Sequence, residues 1–528
     1  MLIFDNQRFM SIHRSSFIIH HYLKQSIMKA FKYKIGFIII ALLGSVSCSK
    51  DIIDLSPRGT KLETNFYKTE AELFQGLVAA YDPLGFATNL TMKTGLLNAA
   101  SDDTHAGGSD ASDQPSWVAY DKFTMDPNLG PQAGLWSKNY VGIYRANLVI
   151  EKAEGAIANL TADKKARYVA EAKFLRAYYY FDLVRWFGNV PLITTTPGAD
   201  AIYKQTQATP VQVYAQIEKD LKEAVATTQL PETVPAAELG RITKGAAKAL
   251  LAKAILFQNN TARMGEAATL FEEVINSSVY ALEKTFSDIF KPDNKFGKES
   301  IFEIYHSGNR QGDWGFGPDG NEGNIDVQFC GMRDYVGPTY GTGWSFCPVS
   351  LDLVNFMKTD PRFDATIIDG KALKASGASY TVGYQNTDYF IKKLAPLAKF
   401  KATSGEPALN WPYNTIEIRL ADVLLMAAEC FNRSGNDAKA QTYLNRVRTR
   451  VLLSNKTTTG ATLLQDIYDE RRMELATEGM RFWDLQRTGK AATVLAGQGY
   501  KTGKHEYLPI PQSEMDIMQG GFKQNTGY

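Results

Sequence analysis

Residues 171–192 read EAKFLRAYYYFDLVRWFGNVPL, and no other stretch limits the fold as much. Ala172, Leu175, Tyr179 and Leu183 recur at i, i+3, i+7 and i+11, the period of a helical stripe. Phe174, Tyr178, Phe181, Val184 and Trp186 widen the stripe until little of the surface is left for water. A helix apolar on most sides is buried between other elements. Gly188 and Pro191 follow the last periodic residue and supply its stop. The pattern predicts a central helix with layers packed on both sides. Aromatic rows at this spacing are core, so the stretch speaks of fold and leaves function to other segments.

The 528 residues suffice for a large core. The formal net charge of +2 includes a basic leader; without residues 1–47 the chain has 52 basic and 55 acidic groups, leaving −3. That balance gives no reason to expect a nucleic acid or an anionic lipid surface as partner. Lys29, Lys32 and Lys34 precede the apolar run 35–44, which falls short of the ~20 residues of a membrane span and reads as an export signal. Ser45-Val46-Ser47-Cys48 then resembles a bacterial lipobox, with Cys48 as the acylated mature N-terminus. Several acyl chains on one cysteine make such anchoring stable. Met28 is an alternative start, in which case residues 1–27 belong to a mis-assigned start and are not translated. The expected organisation is a signal peptide over 1–47, a lipidated tether over 48–64, and a single domain over 65–528.

Export permits disulfides. Cys330 and Cys347 flank a loop and are free to pair or to remain thiols, whereas Cys430 lies in the helical run LLMAAECF and reads as a buried thiol. Beyond the leader, His105, His306 and His505 are scattered, and no CxxC or HExxH spacing occurs. Neither a metal centre, nor a cofactor, nor a histidine-based triad is expected.

Helical patterns cover 70–81, 135–156, 211–225, 243–257, 265–276, 417–431, 438–451 and 463–485. In 243–257 Ala246, Ala249 and Ala252 line one side, and the bulkier 265–276 follows after a short turn. Such pairs of about 34 residues are TPR-like, here in 131–276 and 414–487. Residues 101–128 read as loop. Between the helical blocks, 300–305 alternates like a strand. Residues 306–346 then hold ten glycines in 41 positions, about a quarter against a usual ~7%. Long irregular inserts are either functional or disordered, and the aromatics here argue for order. The fold expected is mainly α, a TPR-like scaffold of helical pairs with a loop-rich insert containing short strands.

Specific blocks carry a family resemblance. They are Cys48; Phe66-Tyr67; Trp136, Tyr140, Ile143 and Ala146-Asn147; Glu171 to Ala177 with Phe187 to Leu192; and Arg241 to Ala252. They continue through Glu299 to Glu303, Asp360 to Arg362, Arg419 to Glu429, Glu470 to Leu475, Glu478 to Arg481 with Asp484-Leu485, Leu508 to Pro511, and Gln524 to Tyr528. In order and spacing they resemble the SusD/RagB family of surface nutrient-binding lipoproteins. Thr526 stands where that family commonly has proline. The resemblance implies the helical fold above, lipid attachment at Cys48 to the outer membrane facing outward, and a SusC-like TonB-dependent barrel as partner. It implies capture of oligosaccharides, or of oligopeptides in the RagB branch, without catalysis.

The family places ligand contacts in variable loops after the first helix and after the IFE strand. A sugar ring has apolar C–H faces and a polar rim, so it calls for aromatic planes beside a few polar groups. The first region offers Trp117 and Tyr120 with Asp103; the second, within 299–400, offers Trp314, Tyr335, Tyr340 and Trp344 with Asp313 and Arg333. Glu470, Glu474 and Glu478 share one helix face, but Arg471, Arg472 and Arg481 stand beside them. Neutralisation of a helix face explains them better than the paired carboxylates of a glycosidase.

Overall fold

The central helix begins earlier than its apolar stripe. It runs from Ala162 to Phe187, capped by the Thr161 hydroxyl on the Lys164 amide and ended by Gly188 at φ +67°. Every stripe residue named above is buried. The structure, a computed structural model, describes residues 66–87, 93–309, 312–316 and 320–528, apart from the side chains of Ala199 and Phe316. The leader, Cys48 and the tether lie outside the described residues.

The helices in chain order are α1 (Glu70–Tyr81), α2 (Lys93–Ala99), α3 (Pro115–Asp121), α4 (Gln132–Lys152), α5 (Ala162–Phe187), α6 (Pro210–Ala226), α7 (Lys244–Phe257) and α8 (Met264–Ile275). The short α9 (Asp326–Cys330) and α10 (Leu351–Met357) follow in the insert, then α11 (Leu420–Arg433), α12 (Asp437–Arg450), α13 (Gly460–Glu474) and α14 (Arg481–Arg487). Each helix of the row α4, α5, α6, α7, α8, α11, α12 packs on the next, which is the stacked-pair arrangement of a mainly α scaffold. Tyr67–Tyr528 form one compact unit.

Close packing and buried charge pairs hold the row. Gly142 of α4 leaves the space that the Tyr179 ring of α5 fills, and the Tyr179 hydroxyl donates to Ala80 O at 2.8 Å. Arg176 of α5 forks onto Asp220 of α6 at 2.6 and 2.8 Å and reaches Asn147 of α4 at 2.8 Å. Planar two-point pairing of this type fixes orientation as well as distance. Glu171 is fully buried and accepts from Arg241, Arg167 and the Tyr81 hydroxyl, tying α5 to α1 and to the entry of α7.

Two helical expectations need correction. Residues 415–419 form a strand, β4, rather than the start of a helix. It pairs antiparallel with β1 (Ser300–Ile304) and lies against α7. β2 (Ile367–Asp369) and β3 (Tyr389–Ile391) make a second antiparallel pair inside the insert. The expected helix over 463–485 is two helices, α13 and α14. Thr477 (φ +65°) and Gly479 (φ +74°) take the chain through left-handed backbone between them.

Glu470 and Glu474 of α13 face inward, and Glu478 joins them from the turn after the helix rather than from one shared helix face. Arg419 donates to Glu299 at 2.8 Å, to Glu474 at 2.6 Å and to both oxygens of Glu478 at 2.8 Å. Arg362 donates to Glu474 at 2.8 Å and forks onto Asp360, Arg448 donates to Glu470 at 2.6 Å, and Arg450 pairs with Glu299 and Glu474. Lys393 completes the set on Glu478 at 2.7 Å. Neutralisation is therefore correct, but the partners come from other elements. Arg471 turns to Asp422 and Asp484, Arg472 to Asp102, Asp103 and Asp352, and Arg481 to Asp102.

Candidate ligand-binding site

The insert is held by two backbone segments pressed together. Gly343 N donates to Met332 O at 2.6 Å, Ser345 N to Gly331 O at 2.7 Å, Trp344 N to Gln328 O at 2.8 Å and Phe346 N to Phe329 O at 2.8 Å. A Cβ on Gly343 would overlap the Gly331 backbone, so only glycine fits there. Gly343→Ala is expected to cost about 1–3 kcal/mol through forced backbone displacement. Urea denaturation of the purified variant checks this, and an unchanged midpoint would contradict the close approach.

From this ladder an aromatic series runs from core to solvent. Trp117 stacks on Phe329 (5.1 Å between centroids, 22°), and Phe329 meets Trp344 edge-on (4.9 Å, 70°). Trp344 lies parallel to Trp314 (6.2 Å, 19°). These spacings are those of favourable aromatic pairs. Trp344 is half-buried, whereas Trp314 is 48% exposed. Trp314 starts a short turn whose approach is clamped by Asn410, whose Oδ1 accepts from Gly312 N and whose Nδ2 donates to Gly312 O, both at 2.9 Å. Asp313 is exposed and accepts from Gly315 N at 2.6 Å, which shapes the same turn.

The polar rim comes from the neighbouring loops. Arg333 is half-buried and donates at 3.0 Å both to Asp113 and to Trp344 O. Asp113 also accepts from the amide and hydroxyl of Ser109 at 2.9 Å. The 381–384 segment joins this group through Thr381 N to Arg333 O (2.9 Å) and Tyr384 N to Gly108 O (2.8 Å). Trp314, Trp344, Arg333 and Asp113 are thus linked by direct contacts, with Asp313 next to Trp314. Such a surface offers apolar ring area beside charged hydrogen-bonding groups.

The other expected contacts are corrected by burial. Trp117 and Tyr120 are each 1% exposed; they sit on α3, not on a loop, and Tyr120 packs on Trp186 and Phe482. Asp103 is buried against Arg472 at 2.9 Å, and burial pushes its carboxyl pKa up despite that cation. Tyr335 and Tyr340 pack edge-to-face in a small second core with Met332, Ile368, Tyr380 and Phe390. Trp117, Tyr120 and Asp103 are shut from solvent, and Tyr335 and Tyr340 keep only 7% of their surface. Asp113 and Asn410 escaped the sequence reading. The polar run 109–114 ahead of Trp117 was the available signal for Asp113, and nothing local marks Asn410.

Residues 53–256 match the family described as "Starch-binding associating with outer membrane", and residues 298–528 match the SusD family. A solved laminarin-binding SusD-like protein is 41% identical with a TM-score of 0.82, covering 88% of this chain and all of that one. Surface glycan-binding protein A from Bacteroides thetaiotaomicron, solved in complex with laminarihexaose, is 30% identical with a TM-score of 0.79, covering 87% and 99%. SusD-like protein P2 of Formosa agariphila is 28% identical, covering 94% of this chain and its own full length. The chain belongs to the SusD family.

Proposed function

We propose that this chain is a surface-exposed glycan-binding lipoprotein. It captures oligosaccharides and delivers them to a SusC-like TonB-dependent outer-membrane transporter. The observation that carries the reading is the Trp314–Trp344 pair at the protein surface, rimmed by Arg333, Asp113 and Asp313. A pyranose lays its C–H face on the exposed indole and turns its hydroxyls to the charged rim. The similar laminarin-binding protein and the laminarihexaose complex favour laminarin-type oligosaccharides as the first cargo to test. The role is capture without cleavage, in keeping with relatives that are named as binding proteins.

A panel of immobilised glycans with an oligopeptide control tests the cargo. Retention on laminarin-type oligosaccharides is the expected result. Retention of peptides and of no glycan would move the cargo to peptide. Anchoring is tested separately. Cys48→Ser is expected to move the protein from the membrane fraction to the soluble one, because the acyl chains supply the attachment. A membrane-bound Cys48→Ser protein would defeat the lipoprotein reading.

A further inference from the structure

We infer that Cys330 and Cys347 are joined by a disulfide bond that closes the loop carrying Arg333 and Trp344. Cys330 ends α9, and Cys347 follows the ladder residue Phe346, whose amide bonds to the carbonyl of Phe329. The backbones on either side of the two cysteines are therefore held together by the ladder described above. Both side chains are fully buried, and the neighbouring Cys347 thiol is the largest cause that pushes the Cys330 thiol up from its usual pKa. Side chains that leave adjoining ends of one ladder need rotation, not refolding, to bond. The Cys347 thiol also donates weakly to Gly95 O at 3.4 Å, a contact that the oxidised form gives up. Cys430, buried on α11, stays a thiol.

The bridge rests on the export reading for its oxidising surroundings. Because both sulfurs are shut from solvent in the folded chain, oxidation takes place before the loop closes over them. One cysteine thiolate attacks a sulfur of an external disulfide and releases a thiolate. The second cysteine attacks the mixed disulfide and releases the other. Two protein thiols become one disulfide, and the external disulfide is reduced to two thiols. The consequence is local: the bridge staples the two arms from which Arg333 and Trp344 are presented.

Cleavage after arginine and lysine separates the cysteines, since Arg310, Arg333 and Lys358 bound the peptides 311–333 and 334–358. The full chain is taken from the cell envelope, alkylated in denaturant without reductant, and digested. The expected product is one joined species of these two peptides, unalkylated, which falls apart on reduction. Two separate alkylated peptides, or either cysteine joined to Cys430, would overturn the bridge and leave export untouched. If the protein is absent from the envelope, export fails instead. The pair is then decided by refolding the reduced chain in a buffer of oxidised and reduced glutathione and repeating the map, with the same two readings.

Discussion

Replacing Arg419 with alanine is expected to destabilise the protein by about 3–5 kcal/mol, the usual cost of removing one partner from a buried charge cluster. Arg419 is 2% exposed and touches Glu299, Glu474 and Glu478, themselves nearly or fully shut from water. Around it five carboxylates (Glu299, Asp360, Glu470, Glu474, Glu478) face five cations (Arg362, Lys393, Arg419, Arg448, Arg450). The cluster is balanced, so one deletion leaves a net charge where water cannot screen it. Urea denaturation measures the loss. Lys439→Ala, at the exposed pair with Glu272, is the control and should change stability by about 0–1 kcal/mol. Equal effects of the two substitutions would sink the argument.

The same cluster sets an acid limit. Burial by itself would raise the Glu474 pKa, but Arg450, Arg419 and Arg362 outweigh it and hold the carboxyl well below its usual range. A carboxyl depressed on folding contributes stability above its unfolded pKa of about 4.3, and that contribution is lost as pH falls through the folded value. Acid unfolding should therefore begin below that pH, with Glu474 among its causes.

The central helix was legible because its partners enter through period alone, and Ala172 to Trp186 needed no knowledge of distant residues. The ion cluster was not. Glu299, Arg419 and Glu474 are far apart in sequence, and the arginines adjacent to α13's glutamates bind elsewhere. Local charge pattern thus predicted neutralisation but named the wrong partners. Trp117 was misread for a related reason. α3 has seven residues, too few to show a period, and Gly- and Asp-rich neighbours gave the segment a loop's composition. What buries Trp117 is a distant glycine: a Cβ on Gly95 would overlap its ring. Tyr335 and Tyr340 were sorted by a small core that forms only when β2 and β3 pair beside them. At the candidate site, residue types were readable. That Trp314 meets Trp344 across thirty positions, while Asn410 fixes the turn, depends on tertiary contacts.

Trp314→Ala is expected to weaken oligosaccharide binding by about thirtyfold, the ~2 kcal/mol typical of a tryptophan that dominates a binding surface. Its ring is 48% exposed and reaches the core through Trp344, so the melting temperature should move little. Trp344→Ala separates the two roles. That ring packs on Phe329 as well as on Trp314, so its loss should reduce both binding and stability. Isothermal titration with a laminarin-type oligosaccharide, beside thermal melts of the same samples, distinguishes the cases. The aromatic-step reading requires a Trp314→Ala protein that folds normally and binds poorly. If it folds normally and binds as well as the parent, the ligand lies on another surface, and Arg333 and Asp113 lose their assigned part with it.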